Sequence, residues 1–207
     1  MNSFFARSSV ALALALSSHA PGAQTYTFAP VTSTSATNDA AALAQLSMIV
    51  DSVSPTQVSF TFHNVGLAAL SITDAFIDGT ALASISSITN GSGVDFAPSS
   101  SPPNLPGGNL CSPAFSAVGT LSVGAAPPSQ PNGVNPGETA TVIYNLAAGE
   151  SYSSVIAALN TPGDHLRVGI HVQGFSDGGS ESFVTPAPSS GLVILALSSA
   201  FAARRRR

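Results

Sequence analysis

Residues 57–63 alternate without a break: Val58, Phe60 and Phe62 project one way, and Gln57, Ser59, Thr61 and His63 the other. A period of two is the signature of extended chain with one wet and one buried face, because successive Cβ atoms point to opposite sides. Residues 139–146 repeat the pattern with Ala140, Val142, Tyr144 and Leu146. Residues 166–173 repeat it again, setting Leu166, Val168, Ile170 and Val172 against Arg167, Gly169, His171 and Gln173. Strands that are apolar on one face only belong to antiparallel sheets. Together with short apolar runs separated by turns rich in glycine and proline (18 Gly, 15 Pro), they predict an all-β body, an antiparallel β-sandwich or jelly-roll-like domain.

The connections fill in around these runs. Residues 40–50 suit either an Ala-rich helix or a strand, and a strand from about Leu43, turning over 51–56 into 57–63, is favoured. Asp78-Gly79, between apolar stretches 70–77 and 80–88, is a two-residue hairpin signal. Further strands are expected near 94–97 and over 115–123, with 166–173 as the last. One short helix is expected within 149–160, where Ser151 or Ser153 can cap a stripe of Val155, Ile156 and Leu159. Asn90-Gly91-Ser92 reads as a turn. Two Ser/Pro/Gly segments, 98–113 and 125–137, are longer than plain connectors and are the candidate binding loops.

Both ends look like addresses. Residues 1–23 carry Arg7, a short apolar run over 10–16 and a small-residue stretch, the pattern of a signal peptide with a mature start between 21 and 24. That leaves 24–184 as the folded domain, about 160 residues, enough for one real core. Residues 185–207 hold Pro186-Ala187-Pro188, an apolar run over 191–203, and Arg204, Arg205, Arg206 and Arg207. As a helix the apolar run spans about 20 Å of a roughly 30 Å hydrocarbon core, short for a permanent anchor. The arginines are expected on the cytoplasmic side before processing, and the rest across the membrane.

At these residues the chain resembles the PEP-CTERM sorting signals, whose plan is a Pro-Glu-Pro-like motif, a short transmembrane stretch and a basic end. Ala187 stands where that signal carries Glu. The resemblance implies an exosortase and the export machinery as partners, a cut near 186–189, transient membrane attachment through the C-terminal helix, and a secreted or cell-surface destination, where extracellular polysaccharide is a further partner. Over 166–183 the chain is also similar, more loosely, to the closing part of other domains that carry this signal.

Charge narrows the function. Without the two ends, Arg167 is the one basic residue facing ten carboxylates, and the chain has no lysine. Nucleic acid and anionic lipid are therefore not expected partners, since both are bound through released counterions. Cys111 is the only cysteine, so no intrachain disulfide forms, and a partly buried thiol is expected. His165 and His171 share a strand face but lie about 20 Å apart, too far to ligate one ion, and both are expected to face solvent. Asp177 and Glu181, in a glycine-rich turn, are the weak calcium candidates, with Asp74 and Asp78 as further oxygen donors and no EF-hand spacing. No Gly-x-Ser-x-Gly or Ser-x-x-Lys motif is present, so no catalytic residues and no cofactor are expected. The expected function is a non-enzymatic exported surface or matrix protein, with a carbohydrate- or calcium-binding surface module as the alternative.

Overall fold

The computed structural model describes residues 22–163 and 165–185. Within them eleven strands, numbered in chain order, form two sheets with every pairing antiparallel. The first sheet sets side by side β1 (Gln24–Tyr26), β3 (Leu46–Ser54), β4 (Gln57–Asn64), β9 (Thr139–Leu146) and β6 (Leu82–Asn90). The second sets β2 (Ala29–Pro30), β11 (Ser180–Val184), β10 (Leu166–Gln173), β5 (Ser71–Gly79), β8 (Val123–Ala125) and β7 (Phe96–Pro98).

The alternation explains the core. Val58, Phe60 and Phe62 of β4 and Val142 and Tyr144 of β9 are wholly withdrawn from water. They join Ile72, Ile77, Val168, Ile170, Val172 and Phe183 of the second sheet in one cluster. Each such side chain contributes about 1.5–3 kcal/mol by leaving water. The Phe60 and Tyr144 rings meet edge-on at 5.2 Å. The buried Tyr144 hydroxyl finds its acceptor in the Leu121 carbonyl at 3.0 Å, as a phenol in a dry core must. The strands expected at 57–63, 139–146 and 166–173 stand where the alternation placed them, with β4 running one residue further.

Several expectations fail for identifiable reasons. The strand expected from about Leu43 starts only at Leu46, as β3, which turns into β4 as expected; the Ala-rich stretch before it is helical, α1 spanning Ala36–Gln45 with its N-terminus capped by Ser35, whose hydroxyl accepts from the Asn38 amide. Alanine is the strongest helix former, and the buried Ala42 gives this helix its contact with the core. The hairpin at Asp78-Gly79 does not exist. Gly79 does take a positive φ of 133°, but β5 and β6 pass into different sheets, so the turn redirects the chain without pairing its flanks. No strand covers 115–123; that segment holds a 3-10 turn, Gly119–Leu121, before β8. The strand over 166–173 is not the last, because β11 follows it and pairs with it.

The helix count also differs from the single helix expected. Besides α1, the described residues hold α2 (Ser129–Asn132) and α3 (Tyr152–Asn160). The last of these is the helix read from the sequence. Ser151 and Ser154 close a reciprocal capping box, and Tyr152, Val155 and Leu159 are buried.

Candidate functional site

The outer face of the second sheet is where charge, hydroxyl and thiol chemistry gather. Register alone brings them together: Arg167 stands opposite Asp78, Gly169 opposite Phe76, and His171 opposite both Asp74 and Ser182. This face is not open to water. Segment 98–118, made of the expected binding loop 98–113 and the start of the stretch expected as a strand over 115–123, lies over it and builds a second apolar cluster from Phe76, Leu105 and Phe115. Gly169 makes the approach possible, since a Cβ there would sit 2.9 Å from Leu105 Cδ2 and 3.1 Å from Phe115 Cζ.

Arg167 pins this cover. Its guanidinium pairs with the Asp78 carboxylate, donates to the Pro113 and Ala114 carbonyls at 2.6 and 2.9 Å, and lies 5.3 Å from the Phe115 ring centroid. The Asp78 carboxylate also accepts from the Ser116 amide at 3.1 Å. At the other end of the segment the Asp74 carboxylate accepts from the Ser101 amide at 3.2 Å. Asn104 braces the middle, donating to Phe115 O at 3.2 Å and accepting from the Ala117 amide at 3.0 Å. A planar guanidinium with several fixed donors suits a node that must satisfy a carboxylate and two carbonyls together.

Ser182, His171 and Asp74 lie on three adjacent strands and are the closest approach to a nucleophile, base and acid. His171 Nδ1 and Ser182 Oγ are 3.3 Å apart. All three are withdrawn from water: Ser182 is fully enclosed, and His171 and Asp74 are 8% and 4% exposed. Desolvation lowers the His171 pKa, against an opposing pull from Glu181. The same effect raises that of Asp74, against donors from Ser101 and Thr73. Both groups are pushed toward neutrality, and the Ser182 hydroxyl is out of contact with solvent in this structure. The expectation that His171 faces solvent is thus corrected, because 98–118 and the chain leaving β2 cover a face that alternation alone marks as wet. His165 is exposed and His63 half-buried.

The calcium candidates are held apart in role. Glu181 is fully buried in β11, opposite Val172. Its oxygens accept from the Thr32 hydroxyl at 2.6 Å, the Thr34 amide at 2.9 Å, the Ser35 amide at 3.1 Å and the Thr34 hydroxyl. Desolvation alone would raise this carboxyl, but the four donors outweigh it and hold the pKa below its ordinary value. Glu181 is therefore a clamp that fastens the entry to α1 onto β11. Asp177 is exposed; it accepts from the Gly179 amide at 2.8 Å and from Asn38 Nδ2 at 3.0 Å. Among the described residues no group of three or more His, Cys, Asp or Glu side chains is placed to hold a metal ion.

Cys111 is partly buried, as expected. It lines a cleft of about 290 Å³ with Arg167, Leu110, Leu159, Leu166 and Thr185. Burial raises its thiol pKa, with Arg167 pulling it down and Asp78 pushing it up, so the reactive thiolate is disfavoured. The second expected binding loop, 125–137, is likewise tied down. Asp95 N donates to Asn132 O at 2.8 Å, and Ile72 and Val134 exchange backbone bonds at 3.2 and 2.9 Å.

The sorting residues Pro186, Ala187, Pro188 and Arg204–Arg207 lie outside the described residues, as does the expected C-terminal helix. Among the described residues no helix is long and apolar enough to cross a membrane. The pinning role of Arg167 was missed in the sequence. The available signal was its being the one cation between the two ends of the chain. No protein-family model, no curated protein and no solved structure matches the chain.

Proposed function

We propose that this chain is a non-enzymatic, exported β-sandwich protein of the cell surface or extracellular matrix. In this reading residues 1–23 direct export, and 185–207 form a PEP-CTERM-like signal that an exosortase removes. The observation that supports the proposal is how the chain is fastened just before the expected cut. Thr185 is buried and tied to β10 by two hydrogen bonds, Thr185 N to Val168 O at 2.8 Å and Val168 N to Thr185 Oγ1 at 3.1 Å. Pro186 follows at once. A cut within 186–189 would release the apolar run and the arginines while leaving β11 and both Thr185 bonds intact, and β1 begins at Gln24, just after the expected mature start. The two-sheet body with its single main core supports the sandwich reading.

Intact-mass measurement of the protein from its native host tests this. The expected species starts between residues 21 and 24 and lacks Arg204–Arg207; a mature species that retains the four arginines rejects it.

The second reading, a neutral-polysaccharide-binding module, is favoured by the outer face of the first sheet. There Thr25, Ile49, Thr61, Thr141 and Thr89 stand in one register row across all five strands. Thr61 and Thr141 share a hydrogen bond at 2.9 Å. Neighbouring rows add Ser59, Gln57 and Asn145, uncharged groups suited to sugar hydroxyls. A thermal shift with neutral glucans that Thr61→Ala and Thr141→Ala abolish would support it, and no shift would reject it.

A further inference from the structure

Residues 65–69, between β4 and β5, present an apolar tip. Leu67 is 98% exposed and Val65 71%, with Ala68 and Ala69 exposed beside them. One exposed leucine means little, but the support beneath this one is unusual. Gln45 at the end of α1 and Asn64 at the end of β4 are both buried, and their amides fasten the segment. Gln45 Nε2 donates to Ala68 O at 3.0 Å and to Asn64 Oδ1 at 2.8 Å, while Ala68 N donates to Gln45 Oε1 at 3.1 Å. Asn64 Nδ2 donates to Leu70 O and Val134 O, each at 3.0 Å. The fit admits only glycine at 66, where a Cβ would fall 2.0 Å from Gln45 Oε1. An apolar tip held in one shape by two buried amides loses little freedom when it docks.

A concave counterpart lies elsewhere on the molecule. Where β6 ends the first sheet and β7 ends the second, a groove of about 490 Å³ opens between the two edges, walled by Ile85, Ile88, Phe96, Ala97 and Pro98. Serines and Thr120 complete its lining, and no charged residue contributes to it. The tip carries no charge either. On a body dominated by carboxylates, these two surfaces can meet without the like-charge repulsion that opposes other contacts between copies. A lipid surface fits the tip less well, since it has neither the aromatic nor the basic residues that hold interfacial segments.

We propose that the chain self-associates head to tail, the Leu67 tip of one copy seated in the β6–β7 groove of the next. Tip and groove are different surfaces, so the contact is heterologous, and copies add into rings or filaments instead of closing as a pair. The contact is small and therefore weak between free molecules, and it strengthens where copies are crowded on one surface. It goes beyond the export reading and stands without it.

Sedimentation velocity on the full chain, from micromolar to millimolar concentration, tests the proposal with Leu67→Asp and Ala97→Glu. The wild-type mass should climb past two protomers, and each variant alone should stay at one. An equimolar mixture of the two variants should stop at two, because it retains one intact tip and one intact groove. Ser87→Glu, at an exposed position of β6, replaces Ala97→Glu if that variant melts early. A wild type that stays monomeric overturns the proposal. So does association that survives Leu67→Asp, as contact through the apolar tail would, and so does a mixture that remains monomeric or grows beyond two.

Discussion

The two sheets solve the same burial problem differently. In the first, one face makes the core and the other meets water, so β4 throughout and β9 as far as Asn145 alternate between enclosed and half-exposed residues. In the second, β5 is buried on both faces from Ser71 to Asp78, and β10 nearly so. Its outer face is roofed by 98–118, and the roof rests on few apolar side chains and many polar bonds. The first sheet is held by area, which spreads its stability over many residues. The roof of the second is held by a node, which concentrates it in Arg167, Asp78 and Gly169.

The sharpest test of that contrast is removal of the node. Arg167→Ala leaves Asp78 in a nearly closed site without its cation, a change that costs about 3–5 kcal/mol when a buried pair loses one member. Urea denaturation should register a loss of that order. Hydrogen exchange should localise it, with amides of 98–118 deprotected and those of β4 and β9 still slow. Uniform deprotection of both sheets would mean that roof and core are one cooperative unit and that the distinction is false.

Gly169→Val probes the same roof from below. The added side chain must displace Leu105 and Phe115 from contacts that are already tight, an overpacking worth about 1–3 kcal/mol. Calorimetry should show a lower melting temperature. Pairing the substitution with Leu105→Ala should recover part of the loss, because the space Leu105 leaves is the space valine needs.

This contrast also sets what was legible in the sequence. A strand with one wet face writes its geometry as alternation, so β4, β9 and the apolar side of β10 were readable, as was α3 from its cap and stripe. The second sheet erases that signal, because covering the wet face lets Phe76, Gly169 and His171 sit where alternation promises solvent. Nothing local marks Phe115 as a roof residue instead of a strand residue, since the partner that decides it, Gly169, is far away in sequence. The missed α1 has another cause: its alanines run into β3 at Leu46 with no glycine or proline between. Of the candidate site, the residue types were visible. Their partners, Thr32, Thr34 and Ser35 for Glu181, were not.

Acid should act more on the second sheet than on the first. Burial depresses the His171 pKa, with Glu181 partly opposing, and burial alone depresses that of His63. A depressed histidine favours the folded state when neutral. Its contribution is therefore complete above the ordinary histidine value of about 6.5 and is lost as pH falls through that value toward the folded one. Asp74, raised by burial, has the opposite dependence. Its contribution is present at low pH and lost as pH rises through its folded value, so it softens the acid loss at its end of the carboxylate range. Between about pH 7 and pH 5, wild-type stability in urea should decline. His171→Gln should flatten that decline more than His63→Gln, because His171 is enclosed and His63 only half so. Equal slopes for the two variants would show that the roof does not exclude water from His171.

The smallest expected effect lies on the outer face of the first sheet. Thr141→Val there removes the hydroxyl that Thr61 meets at 2.9 Å while keeping a branched side chain suited to a strand. Thr61 turns to water for its lost partner, so no buried group is stranded, and the stability change should stay within about 0.5 kcal/mol. The same exchange at Thr73 differs in kind. Its enclosed hydroxyl has one proton to share between the Asp74 carboxylate at 3.0 Å and the more distant His171 carbonyl at 3.3 Å, and Thr73→Val deprives Asp74 of a donor away from solvent, at a cost of about 1–3 kcal/mol. Measured side by side in urea, the two variants isolate the roof from the chemistry of the substitution. If Thr141→Val costs as much as Thr73→Val, the first sheet's outer face is not an open surface, and some further part of the molecule covers it too.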